Sequence, residues 1–501
     1  MSEASTRSAR IRARLDHPIV DGDGHLTEFY PGFLEYVEKV GGGDFARRYR
    51  GGFGASPTGG GHRGGDFAGW SDQSWDERRR HRTRRAAWWG SPTRNLRDAA
   101  TTALPGLLYE RMDELGMDYS ILYGGLGLYL PLEPDTETRR ITIRALNTLQ
   151  ADMFREYADR LTPVACIPMH TPEEALDELE HAVRGLGHKV IMIPSGVPRP
   201  IPSLNESSPE AFPDAQWLDH YAIDSDHDYD PVWAKCVELG VAVTAHSGVL
   251  PMIPWAGRSI SNFCFNHIGN HALHQASLCK ALVMGGVTRR FPTLNFGLLE
   301  GGAAWACKQF ADLVGMWEKR SVVGLEATNP ANLDVPGYLD LIGRYAGRFA
   351  EGKLDQVEAS LGSFFQTDVA PEDLDEWAAM GVERAEDFVD RYAARLFFGC
   401  EADDTSVAWA FDTRVNPFGS CIKTVLGSDI GHFDVPDMSR VIEEAYELRE
   451  KELLDAGEFR DFAFANAVRL HGGMNPDFFV GTSVEVEAGK LLAEEASLTA
   501  P

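Results

Sequence analysis

The sequence predicts an α/β fold, a closed (β/α)8 barrel. Three observations carry that prediction. Eight short apolar runs alternate with amphipathic stretches along the 501 residues. The spacing between them suits helical crossovers joining parallel strands, not the tight turns of a sandwich. Four of the apolar runs, spread from one end of the chain to the other, end in an acid or an imidazole: Asp21-Gly-Asp23-Gly-His25, His246, Glu300 and Asp429. A strand presents its last side chain at one rim of its sheet. Neighbouring parallel strands of a single barrel therefore bring four distant segments to one place.

The predicted strands are 17–21, 119–123, 162–168, 189–194, 241–246, 294–299, 395–400 and 423–428. That is the number a (β/α)8 barrel, the TIM-barrel fold, requires. Between the second and third, Arg139 to Arg160 reads as one long amphipathic helix. After the third, Thr171 is a helix cap followed by Pro172 and two acids, the favoured chemistry of a helix N-terminus. Three segments exceed a minimal barrel. Residues 41–100 hold two Gly-Gly-Gly runs and a Trp88-Trp89 pair, as a long loop over the barrel mouth or a subunit interface. Residues 195–232 are rich in Pro, Asp and Ser, and 325–392 are helical and acidic. The expected organisation is an N-terminal tail over 1–16, the barrel with its insertions over 17–480, and a C-terminal tail over 481–501 whose last dozen residues fray.

Composition narrows the function. A hydrophobic content of 44% with 25% charged residues is that of a soluble globular chain. No apolar run reaches the roughly 18 residues of a membrane helix, and the first residues lack a secretory h-region. Seven scattered cysteines without a Cys-x-x-Cys spacing predict reduced thiols and a cytoplasmic protein. A net charge of −27 argues against nucleic acid and membrane as partners, and leaves a small-molecule substrate. The basic block Arg78 to Arg85 is read first as a solvated face, and second as a subunit contact or an anion-facing rim.

The terminal acids and imidazoles carry the chemistry. In an extended segment, residues i and i+2 face the same way, so Asp23 and His25 reach one ion, Asp21 shares their face, and Glu28 follows one turn later. His246 follows a fully apolar strand and precedes Ser-Gly, where backbone can approach a site closely. Asp429 can ligate a metal, hold a water, or act as a base. His267, His271 and His274 fall at i, i+4 and i+7, one face of a helix, which brings His271 toward the rim that Glu300 occupies. His432 is placed to orient a ligand, and Arg258, with Arg199, to grip a substrate carboxylate.

Taken together, Asp23-x-His25, His246, Glu300 and Gly-Ser-Asp429 resemble the amidohydrolase superfamily. More narrowly, the chain resembles the amidohydrolase-related branch that includes aminocarboxymuconate-semialdehyde and γ-resorcylate decarboxylases. Arg111 to Asp118, Arg290-Phe-Pro-Thr-Leu294 and Asn475-Pro-Asp-Phe-Phe479 support the match over 17–480. The resemblance implies a divalent transition metal (Zn, Mn or Fe) at the C-terminal rim, held by Asp23, His25, His246 and Asp429. One departure stands out. Where the branch's decarboxylases have a histidine in a Gly-rich turn, this chain has Glu300-Gly-Gly. Glutamate serves as a base, and it also suits a second hard ion together with His271.

The expected activity is hydrolysis or non-oxidative decarboxylation of a small organic acid or amide through a metal-activated water or carboxylate, with Glu300, Asp429 and His271 as catalytic groups. A dinuclear non-haem iron-type oxygenase on the same barrel is the first alternative. A non-catalytic partner subunit is the second. The resemblance also implies a homodimer, or pairing with a related barrel subunit.

Overall fold

A computed structural model describes residues 5–51, 70, 72–83, 85, 94–207, 216–246, 259–327, 329–364 and 374–499. Ten strands run in chain order: β1 (Val20–Leu26), β2 (Tyr119–Gly124), β3 (Leu161–Cys166), β4 (Val190–Pro194), β5 (Val197–Pro200), β6 (Gln216–Asp219), β7 (Val243–His246), β8 (Phe296–Leu298), β9 (Leu396–Glu401) and β10 (Lys423–Gly427). Eight of them form one sheet in the order β1-β2-β3-β4-β7-β8-β9-β10, with every recorded pairing parallel. These are the eight strands the sequence predicts, and the fold is a (β/α)8 barrel. Their residues are almost all buried on both faces, as a sheet walled by helices requires.

The seam between the first and last strands is closed by backbone hydrogen bonds, His25 N to Ile430 O and Asp429 N to Asp23 O, both 3.0 Å. A buried carboxylate reinforces it. Asp21 accepts from the Ser120 hydroxyl on β2, and from the Ser428 hydroxyl (2.8 Å) and amide (2.9 Å) just after β10. Asp21 therefore does not join Asp23 and His25 as the alternation predicts. The β1–β2 register shifts between Asp21 and Gly24, and that irregularity turns Asp21 toward the seam.

The first strand also runs further than predicted, so the Asp-x-His pair lies inside it and not in the following loop. The strand stays extended there because β2 pairs with it as far as Leu26. The helix predicted over 139–160 spans Thr136–Phe154 and gives way to a 3-10 turn, while Thr171 caps Pro172–Leu179 as expected. The insertion after β4 contributes the antiparallel pair β5–β6. Arg199 is consumed there, pairing with Asp219 at 3.0 Å and donating to the Tyr229 hydroxyl at 2.9 Å, so it is not a substrate grip. Asp219 needs that partner because it is wholly buried.

Both termini carry helices. Arg7–Arg12 buries Ile11, and Glu485–Thr499 buries Ala488 and Leu491, while most of the helix beyond Leu492 is exposed. In the basic block, the Arg78 and Arg85 guanidiniums lie over the Trp70 ring at 3.6 and 4.2 Å. Trp88 and Trp89 lie outside the described residues. All seven cysteines are free. Among the described residues, no helix is long and apolar enough to cross a membrane.

Two predictions follow from packing. A Cβ at Gly399 would lie 2.8 Å from the Leu299 Cα and 3.0 Å from the Glu300 amide nitrogen. Neither can move without shifting the strand end, so Gly399→Ala is expected to cost about 1–3 kcal/mol by urea unfolding. His471 is buried, stacked on Phe478, and burial pulls its pKa down to about 3. The folded state thus holds it neutral, while the unfolded chain protonates it below about 6.5. Its contribution is complete above about pH 6.5 and is lost as pH falls toward 3, so His471→Phe should flatten the acid side of the metal-free protein's stability profile. His246 acts over an overlapping window, so part of the slope remains.

Candidate metal centre

Asp23, His25, His246, Glu300 and Asp429 come from the C-terminal ends of strands. Asp23 and His25 are the fourth and sixth residues of β1, and His246 is the last of β7. Glu300 and Asp429 each follow their strand by two residues. Both adopt left-handed backbone, with φ of 60° and 51°. That conformation costs a non-glycine residue about 1–3 kcal/mol, and it turns the chain sharply enough to aim the carboxylate back over the barrel.

The side chains converge. His25 Nε2 lies 3.3 Å from Asp429 Oδ1, 3.6 Å from Asp23 Oδ1 and 3.8 Å from Glu300 Oε1. His246 Nε2 is 3.2 Å from Glu300 Oε2 and 4.0 Å from Asp23 Oδ1. His271 Nδ1 reaches Glu300 Oε2 at 2.7 Å. His432, expected beside the centre, lies within it: its Nδ1 contacts Asp429 and sits 3.3 Å from Glu300 Oε1. Two ligand sets result, each with its donor atoms within 4.8 Å of one another: Asp23, His25 and His246, and His25, Glu300, Asp429 and His432. They share His25. A third set at the same spacing, Glu401, Asp429 and Asp434, extends outward from Asp429.

Electrostatics show what this costs without a cation. Burial, with Glu300 and Asp429 beside it, pushes the Asp23 carboxyl well above its usual range. Burial and the Glu300 charge do the same to Asp429. Burial pulls His25 far down, aided by His432 and His246, and brings His246 to about 4. Burial would raise Glu300 as well, but His246 and His271 outweigh it and hold that carboxylate well below its usual range. His271 is raised in turn, because Glu300 overcomes its desolvation. Glu401 is lifted to about 7 by burial and by Asp434.

The residues fit a divalent transition ion. Asp23 Oδ1 and both ring nitrogens of His25 and His246 are buried with no hydrogen-bond partner. Donor atoms left unsatisfied in a dry place normally cost about 1–3 kcal/mol each, and an ion that accepts their lone pairs removes that cost. A mixed imidazole and carboxylate set suits zinc, manganese or iron over calcium or copper(I).

Other expectations change. His267, His271 and His274 do not share one helix, because Gly269 at φ 76° separates Phe263–His267 from Asn270–Met284. His271 meets Glu300, at 2.7 Å. Glu28 accepts from the Leu126 amide at 2.9 Å and so ties the loop after β1 to the one after β2. Arg258 lies outside the described residues. Tyr123 and Glu401 were not singled out in the sequence. Tyr123 had a legible signal, as a polar-tipped residue near the end of a barrel strand.

Comparisons with known proteins follow from this geometry. A protein-family model described as Amidohydrolase matches residues 75–342, more than half of the chain, and the chain belongs to that family. The matched stretch contains His246, His271 and Glu300. Asp23, His25 and Asp429 lie outside it, and the barrel brings them back. Among solved structures, an amidohydrolase from Mycobacterium avium subsp. paratuberculosis K-10 shares 16% identity at a TM-score of 0.51, covering 91% of this chain and 100% of that one. A 5-carboxyvanillate decarboxylase from Novosphingobium aromaticivorans, complexed with manganese and 4-hydroxy-3-methoxy-5-nitrobenzoic acid, shares 14% at 0.46, covering 92% and 97%. No curated protein matches the chain.

The repulsion within the centre is testable. Asp429→Asn is expected to raise the stability of the metal-free protein by about 1 kcal/mol, since a neutral amide replaces a carboxylate that is costly to ionise there. The same variant is expected to lose most of the stabilisation that added zinc or manganese confers. Thermal melts with and without metal read both effects.

Proposed function

We propose that this amidohydrolase-family chain is a metal-dependent enzyme that hydrolyses or non-oxidatively decarboxylates a small organic acid or amide at this rim. One observation carries the reading: two buried sets of donor atoms, Asp23, His25 and His246, and His25, Glu300, Asp429 and His432, share His25, each with its atoms within 4.8 Å of one another. A divalent ion held there polarises a carbonyl or carboxylate and acidifies water.

In this reading Asp23, His25, His246 and Asp429 hold the ion. Glu300, kept ionised by His246 and His271, accepts a proton from the attacking water. His271, at 2.7 Å from that carboxylate, holds it in place and keeps it ionised. His432 fixes Asp429 through their contact.

The overlap of two ligand sets on His25 supports a second reading, in which Glu300 ligates a second ion and a dinuclear iron-type centre activates O₂. Elemental analysis of wild type and Glu300→Ala, purified without chelator or affinity metal, separates the two. One ion per chain in both proteins, with turnover of a small amide or acid falling about 100-fold or more in the variant, supports the base role. Two ions falling to one, with iron present and O₂ consumed, selects the oxygenase. Protein that binds no transition ion contradicts both.

A further inference from the structure

An imidazole that binds a metal through one nitrogen normally donates its other N–H to a carboxylate, carbonyl or water, and that hydrogen bond fixes the ring. Neither His25 nor His246 has one. Both ring nitrogens of each are buried without a hydrogen-bond partner. Something else must set the orientation of these two rings, because a freely rotating imidazole carries an entropic cost on binding an ion.

The neighbouring aromatic groups supply it. The Tyr123 ring is wholly buried, and its centroid lies 6.2 Å from that of His25 and 5.9 Å from that of His246. The two imidazoles meet edge to face at 5.0 Å with an interplanar angle of 85°. Tyr123 is the strand partner of His25, so β1–β2 pairing fixes where its ring stands. His432 stacks on His25 at 3.6 Å, but no ring contact joins it to His246 among the described residues. Tyr123 alone among the described side chains makes a ring contact with both. Its hydroxyl faces Thr244, away from the two imidazole contacts its ring makes, and burial, with the Asp23 charge beside it, holds that phenol well above its ordinary pKa.

We propose that Tyr123 is a positioning residue whose ring, wedged against both His25 and His246, sets the crossed imidazoles for one ion in place of the missing hydrogen bonds. This rests on the metal-centre reading above. The ring is the agent and the hydroxyl is not. Phenylalanine therefore suffices at this position, and an aliphatic side chain does not.

The test compares wild type, Tyr123→Phe and Tyr123→Leu, each stripped of metal and titrated with Co(II) and Zn(II) against a chromophoric chelator. The visible spectrum of the Co(II) form reports ligand geometry. Tyr123→Phe is expected to keep the wild-type affinity within about twofold and to keep the spectrum. Tyr123→Leu is expected to bind about 10- to 100-fold more weakly, with shifted Co(II) bands. Melting the metal-free forms controls for folding. A purely structural role lowers metal-free and metal-bound melting temperatures together, whereas the proposed role shrinks the rise that metal produces.

Equal affinity and spectra in wild type and Tyr123→Leu overturn the proposal and leave the metal centre standing. A loss in Tyr123→Phe as large as in Tyr123→Leu also overturns it, by assigning the effect to the hydroxyl. Wild type that takes up neither ion overturns the proposal together with the metal-centre reading.

Discussion

Everything at the mouth of this barrel depends on one unfavourable fact. Three carboxylates, Asp23, Glu300 and Asp429, are confined with His25, His246, His271 and His432 in a buried space a few ångströms across. Two of the acids respond by holding their protons, two of the imidazoles by refusing theirs. A divalent cation would reverse the first response and make use of the second. It displaces the carboxyl protons and accepts the imidazole lone pairs, so a costly arrangement becomes a favourable one on binding.

The fold maintains that arrangement by rigid means. Asp21, which shares the sequence pattern of the ligands, is spent on closing the barrel at the seam where Asp23 and Asp429 must lie side by side. Left-handed backbone at Glu300 and Asp429 stores further strain in the two residues that depart most from regular strand geometry. Gly399 and Gly22, each with no room for a Cβ, let neighbouring strands approach closely around them. The scaffold thus pays in local stability for a preformed site, as barrels with functional rims commonly do.

Much of this was legible in the sequence, and the reason is periodicity. All eight strands could be placed because each is a short apolar run bounded by polar turns, and their terminal residues could be named because strand ends face one rim. The side chains that the structure draws together at Glu300 include His271, which helical spacing alone suggested. What escaped the pattern depends on local geometry. The register shift after Asp21 diverts a residue that alternation assigns to the site. Gly269 breaks the helix that would have aligned His267 with His271. Arg199 is consumed by Asp219, a contact across twenty residues that no spacing rule reveals. Tyr123 stands near the end of a predicted strand, but a tyrosine on a buried strand is ordinarily core. Its significance comes only from the two imidazoles beside it.

The central claim is that the converging donors form a metal site. Anomalous diffraction from crystals of protein kept free of chelator, recorded at the absorption edge of the bound element, tests it most directly. A metal site there gives a peak about 2.0–2.2 Å from a nitrogen of His25 and of His246 and from a carboxylate oxygen of Asp23 or Asp429. No peak at that position, with the same imidazoles and carboxyls hydrogen-bonded to one another or to water, would contradict it.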